Sequence, residues 1–263
     1  GDHIDGIIFQ WIKESATQRL ALEAGTLDIM MEPVMSELAE LGDAGYQILE
    51  GSSAVIFTVD FRTTHAPLDN ILVRKALAYA VDADYHIDVA LAGFGRVANT
   101  VLASEIPYHN ADVPVIPFDM DKAQERAIQW ECKHLLASYY NHVDHGEFEE
   151  GSQVFAPDIE WRWREWTVSG RENMLKDLKS ALSEVHIRHL ITNTVIKVID
   201  EIHAESLSYV TIYTHKGDLA EDGSATHEGP DYINELHDKL ILLDDGWHIA
   251  ERHIKTAFER KSN

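Results

Sequence analysis

The chain contains one cysteine, Cys132, in 263 residues, and this excludes an internal disulfide framework. Cys132 falls in an apolar helical stretch and reads as packing rather than as a nucleophile. No apolar run reaches the roughly 18 residues that a membrane-spanning helix needs, so no membrane insertion is expected. Basic side chains are scarce, with 22 Lys and Arg against 45 Asp and Glu, and the formal net charge is −23. A surface of that sign repels nucleic acid and anionic lipid, which removes both from the expected partners. Proline is sparse, with seven in all, and three of them (Pro107, Pro114 and Pro117) fall close together. That density favours extended or loop backbone over helix. Gly1–Gly6 is polar and acidic, with neither the basic nor the apolar stretch of an export leader.

What is present is ordinary globular composition, with 45% hydrophobic and 25% charged residues, over a length that favours two domains. Charge does not separate the halves. Residues 1–124 hold 7 basic and 19 acidic side chains, and the remainder hold 15 and 26. Histidine does separate them, with 4 before residue 125 and 11 after it. We place the boundary near residue 123, beyond the proline cluster, giving domains 1–123 and 124–263.

The first piece alternates short elements. Strands are expected at Gly6–Ile12, Gln47–Leu49 and Ala54–Phe61, with a short apolar segment at Leu27–Met31. Helices are expected at Ala16–Ala24 (closed by Gly25), Pro33–Leu41 (closed by Gly42), Asn70–Val81 and Tyr85–Ala92. The second piece puts helices first. Asp121–Val143, with Asp119 or Asp121 as its cap, is one long helix, followed by Glu147–Phe155 and, later, Gly170–Ser183. Strands are expected from Glu160–Val168 and then at His189–Ile199, His203–Lys216, Tyr232–Asp244 and Trp247–Thr256, with tight turns at Asp200-Glu201 and Asp244-Asp245-Gly246. Helices gathered before a run of antiparallel strands imply an α+β fold, a curved sheet with helices packed on one face.

Three segments of the first piece, RLALEAGTLDIM (Arg19–Met30), APLDNILVRKALAYAVDADYHIDVALAGFG (Ala66–Gly95) and FDMDKAQ (Phe118–Gln124), resemble family 5 extracellular solute-binding proteins, the peptide receptors of ABC importers. The resemblance implies an α/β fragment of one receptor lobe and an exported ancestry. The family pattern has an Asn soon after the strand that here ends in Asp60. Such receptors enclose ligand between two lobes, and here the N-terminal lobe and everything beyond FDMDKAQ are missing from the match. Half a cleft lacks most of the burial on which affinity depends.

Four segments of the second piece occur in order: LLASYYNHVDHGEFEEGSQVFAPDIEWRW (Leu135–Trp163), SGRENMLKDL (Ser169–Leu178), RHLITNTVI (Arg188–Ile196) and HDKLILLDDGWHIAERHI (His237–Ile254). Residues 126–258 are similar through them to the SnoaL-like branch of the nuclear transport factor 2-like superfamily. That resemblance implies a cone-shaped α+β barrel around an apolar pocket. It also implies cofactor-independent proton transfer next to a carbonyl, although fold does not settle function. Carried over from the dehydratase members, His189 is the general base and then acid, Asp144 orients its ring, and Tyr139 donates to the substrate oxygen. Arg252 matches a pocket arginine. Trp161 and Trp163 share a strand face by alternation and would line the pocket or a dimer contact, and His215 lies on a strand that often contributes to it. His186 and His189 form H-x-x-H, but no third ligand is evident, so no metal is expected.

The expected function is therefore a lyase or isomerase, dehydratase-like, acting without a cofactor on a small hydrophobic oxygenated ligand. The alternatives are a barrel that binds without chemistry, solute recognition retained by the receptor-like half, and a purely structural module. The expected assembly is a homodimer through the open sheet face, and the expected location is cytoplasmic.

Overall fold

The computed structural model describes residues 4–51 and 54–260. These divide into two compact units. One comprises the described residues up to Asp60 together with Val81–Phe118, and the other Phe61–Ala80 together with Asp119 onward.

In the first unit the helical expectations are met within a few residues and the strands are not. Helix α1 is Ser15–Glu23; a single 3₁₀ turn, Met35–Glu37, leads into α2, Leu38–Asp43. The fourth helix of the chain, α4 (Ala83–Ala90), also belongs here and is capped by Asp82, whose side chain accepts from Tyr85 N. The expected strands at Gly6–Ile12 and Gln47–Leu49 and the described part of Ala54–Phe61 form no ladder. Their apolar side chains stand in solvent, Trp11 at 92% and Phe57 at 81% exposure. A strand has no internal hydrogen bonds, so period-2 patterning without a neighbouring strand leaves extended chain.

The second unit includes α3 (Ile71–Ala80), which packs on the long helix α5 (Met120–Asp144). Asn70 caps α3 by accepting from Leu72 N at 2.8 Å. Asp119 caps α5 by accepting from Lys122 N at 3.0 Å. The buried stripe of α5 (Ala123, Ile128, Cys132, Leu136, Tyr139, Tyr140, Val143) recurs every three to five residues, with the Tyr139–Tyr140 pair adjacent, and faces the sheet. A short helix α6 (Phe148–Ser152) and α7 (Arg171–Ala181) complete the helical layer. The expected helix at Glu147–Phe155 stops early because Phe155 opens the first strand.

The sheet has six strands: β1 Phe155–Trp163, β2 Trp166–Ser169, β3 Val185–Val198, β4 His203–Lys216, β5 Tyr232–Leu243 and β6 Gly246–Glu259, in the order β2-β1-β6-β5-β4-β3. One junction departs from the expected antiparallel run, since β1 pairs parallel to β6. The connection between them carries β2, α7, β3, β4 and β5, and this brings the first strand beside the last. A bulge between Thr192 and Val195 of β3, with Asn193 at φ +53°, bends that strand. The face toward the helices holds the core: Phe155, Ile159, Val210, Leu236, Leu240 and Ile249 against Leu136, Cys132 and Met174.

Burial pushes the Cys132 thiol up to about 12, so at pH 8 it is neither ionised nor reachable. Alkylation of Cys132 by iodoacetamide should be negligible in the native protein. It should rise in step with the loss of circular dichroism as urea is added. Rapid labelling of the native protein would contradict this packing.

Candidate active site

Helix α5 and strand β3 bring Asp144 and His189 together. Asp144 is the last residue of the helix, where an unused carbonyl needs a partner. That partner is Arg188, whose Nη1 donates to Asp144 O at 2.5 Å. The Asp144 carboxylate turns to His189 and is used at both oxygens. Oδ2 accepts from His189 N at 2.8 Å, and Oδ1 accepts from His189 Nδ1 at 2.5 Å. The two side chains are only 10% and 8% exposed, so solvent screening is slight and the contact fixes the imidazole more firmly than a surface pair could. An ionised carboxylate only accepts, so Nδ1 carries the proton and the neutral ring leaves Nε2 as a base.

Behind this pair lies a buried cation. The Arg252 guanidinium is wholly buried and forks onto Asp238, with Nε to Oδ1 at 2.7 Å and Nη2 to Oδ2 at 2.9 Å. The two residues are register partners across β5 and β6. Burial is the largest single influence and would lower the guanidinium's pKa, but the charge and hydrogen bonds of Asp238 together with the Tyr140 and Tyr139 phenols outweigh it, and the net direction is upward. Four rings surround Arg252 Cζ: Tyr139 at 5.2 Å, Trp161 at 5.3 Å, Phe155 at 5.4 Å and Tyr140 at 5.7 Å. Ser206 Oγ donates to Asp238 Oδ2 at 3.3 Å, and Arg252 Nη1 reaches the Tyr140 hydroxyl at 3.5 Å. The Tyr140 ring in turn lies 4.6 Å from the His189 ring. Burial raises both phenols, with Arg252 opposing the shift, so Tyr139 and Tyr140 are protonated donors at neutral pH.

Of the residues singled out in the sequence, Asp144, His189, Tyr139, Trp161 and Arg252 gather on the interior side of the sheet and its helices. Trp163 is half-buried beside them, its Nε1 donating to Thr256 Oγ1 at 3.0 Å and its ring against Tyr232. His215 is not brought to the site. It pairs in register with His186 near the strand ends, where their rings stack at 6.3 Å. His186 and His189 sit three apart on a strand and so face opposite sides. Among the described residues no group of three or more His, Cys, Asp or Glu converges as metal ligands. Sequence reasoning missed Tyr140 and Asp238. Tyr140 lies one helical turn before Asp144 and therefore on its side of α5, whereas Tyr139, five residues before, is rotated away. Asp238 is a charge at an inward position between Leu236 and Leu240, which alternation alone marks as anomalous.

Residues 109–253 match the family model described as SnoaL-like domain. The chain belongs to that family. Residues 1–127 match a second model, bacterial extracellular solute-binding proteins, family 5 middle. The first half of this SnoaL-like protein is similar to heme-binding protein A of Haemophilus influenzae, 32% identical over 123 residues, 46% of this chain and 22% of that protein. It is also similar to the nickel-binding periplasmic protein of Escherichia coli, 29% identical over 126 residues, 46% of this chain and 24% of that protein. The chain thus spans less than a quarter of the length of either relative. Among solved structures, a provisionally assigned scytalone dehydratase from Novosphingobium aromaticivorans is 19% identical, covering 53% of this chain and 91% of that chain at a TM-score of 0.45.

Removing one member of a buried ion pair strands the other charge, at about 3–5 kcal/mol. Arg252→Met alone should lower the urea-derived unfolding free energy by that amount. Arg252→Met combined with Asp238→Leu should recover most of it, because no unpaired charge remains. Equal losses in the single and double variants would show that packing, not charge, dominates here.

Proposed function

We propose that the SnoaL-like domain is a cofactor-independent lyase or isomerase of the dehydratase type, acting on a small, mainly hydrophobic, oxygenated substrate. The observation that carries this reading is the His189–Asp144 pair, which leaves Nε2 without a hydrogen-bond partner among the described residues. Nε2 removes a proton from the carbon next to a carbonyl, and charge develops on the carbonyl oxygen. A phenol donor, Tyr139 or Tyr140, stabilises that oxygen. In a dehydration the imidazolium returns its proton to the departing hydroxyl, which leaves as water; in an isomerisation the proton returns to a different carbon. Asp144 stays ionised throughout, orienting the ring and balancing its transient charge. Such acid–base assistance contributes about 10²–10⁴-fold in rate.

The reaction class can be read without the natural substrate. In D₂O the full chain should exchange the C2 protons of 1-tetralone above the buffer background, as followed by NMR. His189→Ala and Asp144→Asn should each bring the rate down about 10²-fold or more, with unchanged thermal melts. Exchange that persists at the wild-type rate in both variants rules out this reading. Binding of the ketone with no exchange at all would favour the alternative, a barrel that holds ligand without chemistry.

We infer further that the domain pairs with a second copy through the sheet face opposite the helices. A groove of about 480 Å³ runs there, lined by both charge signs (Arg162, Lys197 and Lys239 with Glu160, Glu205 and Glu251) and by Leu207 and Val195. Mixed charge of this kind suits a two-fold contact in which each patch meets itself. Light scattering should give twice the chain mass at micromolar concentration, and Leu207→Arg should shift it toward the monomer. A monomeric wild type would contradict the inference.

A further inference from the structure

Strand register orders the outward face of the sheet into rows. Cross-strand partners link Arg162, His253, His237, Leu207 and Val195 into one row across five strands. Two residues along each strand, a second row holds Glu160, Glu251, Lys239, Glu205 and Lys197. Both rows line the groove through which the domain is proposed to pair with a second copy.

The second row satisfies itself. Lys239 Nζ meets Glu251 at 2.9 Å, Lys197 Nζ meets Glu205 at 3.7 Å, and Ser169 donates to Glu160. The first row contains no carboxylate. His253 stands between Arg162 and His237, its ring 6.4 Å from that of His237, and makes no ion pair among the described residues. Its outward neighbours along β6 are Glu251, held by Lys239, and Lys255, which faces Glu235 in register. His237 Nε2 lies 3.4 Å from Glu235 Oε2, and the other oxygen of Glu235 accepts from the Tyr209 hydroxyl at 3.5 Å. Beneath the rows Asp238 and Arg252 cancel each other.

With both imidazoles neutral this face is balanced. Arg162, Lys197 and Lys239 are matched by Glu160, Glu205 and Glu251, and Lys255 is matched by Glu235. Such a face meets a copy of itself without net repulsion. Protonation of His237 and His253 leaves two cations unmatched on each copy, and a two-fold contact doubles the excess. This holds wherever the axis passes, because the net charge of the whole face changes. Contact removes the water and salt that screen exposed charges, so like charges brought together there are costly. Imidazole is the side chain whose charge ordinarily changes between about pH 5 and 8.

We propose that this face is a pH-sensitive contact, which holds a second copy while His237 and His253 are neutral and releases it when they are protonated. This rests on the reading of the face as a dimer contact. The rest of the molecule pulls the other way. Its formal charge is −23, so protonating histidines elsewhere reduces long-range repulsion and favours association.

The dimer dissociation constant of the full chain is measured by sedimentation velocity at pH 8 and pH 6, in about 0.15 M NaCl to screen long-range charge. It should rise about tenfold or more on acidification, since each proton excluded from the contact is worth a factor of ten per pH unit. His237→Gln combined with His253→Gln should show no such rise. His237→Lys combined with His253→Lys should be dissociated already at pH 8. Both positions point outward, and unchanged thermal melts check that the fold is kept. A wild-type dimer as tight at pH 6 as at pH 8, or tighter, overturns the proposal and leaves the dimer reading standing. A weakening of the same size in the glutamine pair also overturns it. A wild type that is monomeric at both pH values overturns the proposal and the dimer reading together.

Discussion

The second unit is organised around the wholly buried ion pair of Arg252 and Asp238. Burying two charges costs several kcal/mol each unless the geometry is nearly ideal and the remaining donors and acceptors are used. Here the fork is bidentate, Ser206 takes part of the remaining acceptor capacity, and Tyr140 meets the third guanidinium nitrogen. A one-residue slip of β5 against β6 would turn one charge to solvent and leave the other inside, so the pair enforces register. It also dictates what can surround it. A guanidinium with its charge balanced in the plane of the fork presents flat faces, and four aromatic rings pack around it. The aromatic lining of the site is thus a consequence of the cation as much as of hydrophobic burial.

Much of the second unit was legible because its elements carry their own patterns. α5 shows a period near 3.6 and has an Asp at its cap, and β4 begins and ends at its expected residues. Asp144 and His189 were legible only through family resemblance, since nothing local joins a helix end to a strand 45 residues later. His215 was misplaced because a strand's general location says little about its face. In register it sits opposite His186, three residues from His189, and three is an odd step on a pleated strand. β3 itself begins at Val185, four residues before the expected start, because the preceding polar residues His186 and Arg188 are outward positions of a strand and not loop.

The first unit shows the opposite case. Its helices form within a few residues of where periodicity predicts them, although Gly42, expected to close α2, lies inside it, and its strands do not form although their composition is as favourable as that of β4. The difference is physical: helices close their hydrogen bonds within the segment, and strands close theirs only with a neighbour. Segments such as Ile7–Trp11 are apolar enough to be strands in a larger sheet, yet are solvent-exposed in this chain. The similarity of this half to under a quarter of each receptor relative fits that picture.

The neutrality of the Arg252–Asp238 pair finally bears on chemistry as well as on folding. An uncompensated arginine near His189 would disfavour the imidazolium that the proposed proton abstraction creates and would draw anionic ligands. Paired with Asp238, it does neither at first order, and an imidazolium at His189 would be balanced by the Asp144 carboxylate. The same arrangement keeps both tyrosine phenols protonated, since burial raises them further than the screened cation lowers them. For the reaction proposed above, a site built this way offers one base and several neutral donors, with its buried guanidinium balanced by Asp238. That suits proton transfer on an uncharged carbonyl compound, where the charge to be stabilised is the one that develops during the reaction.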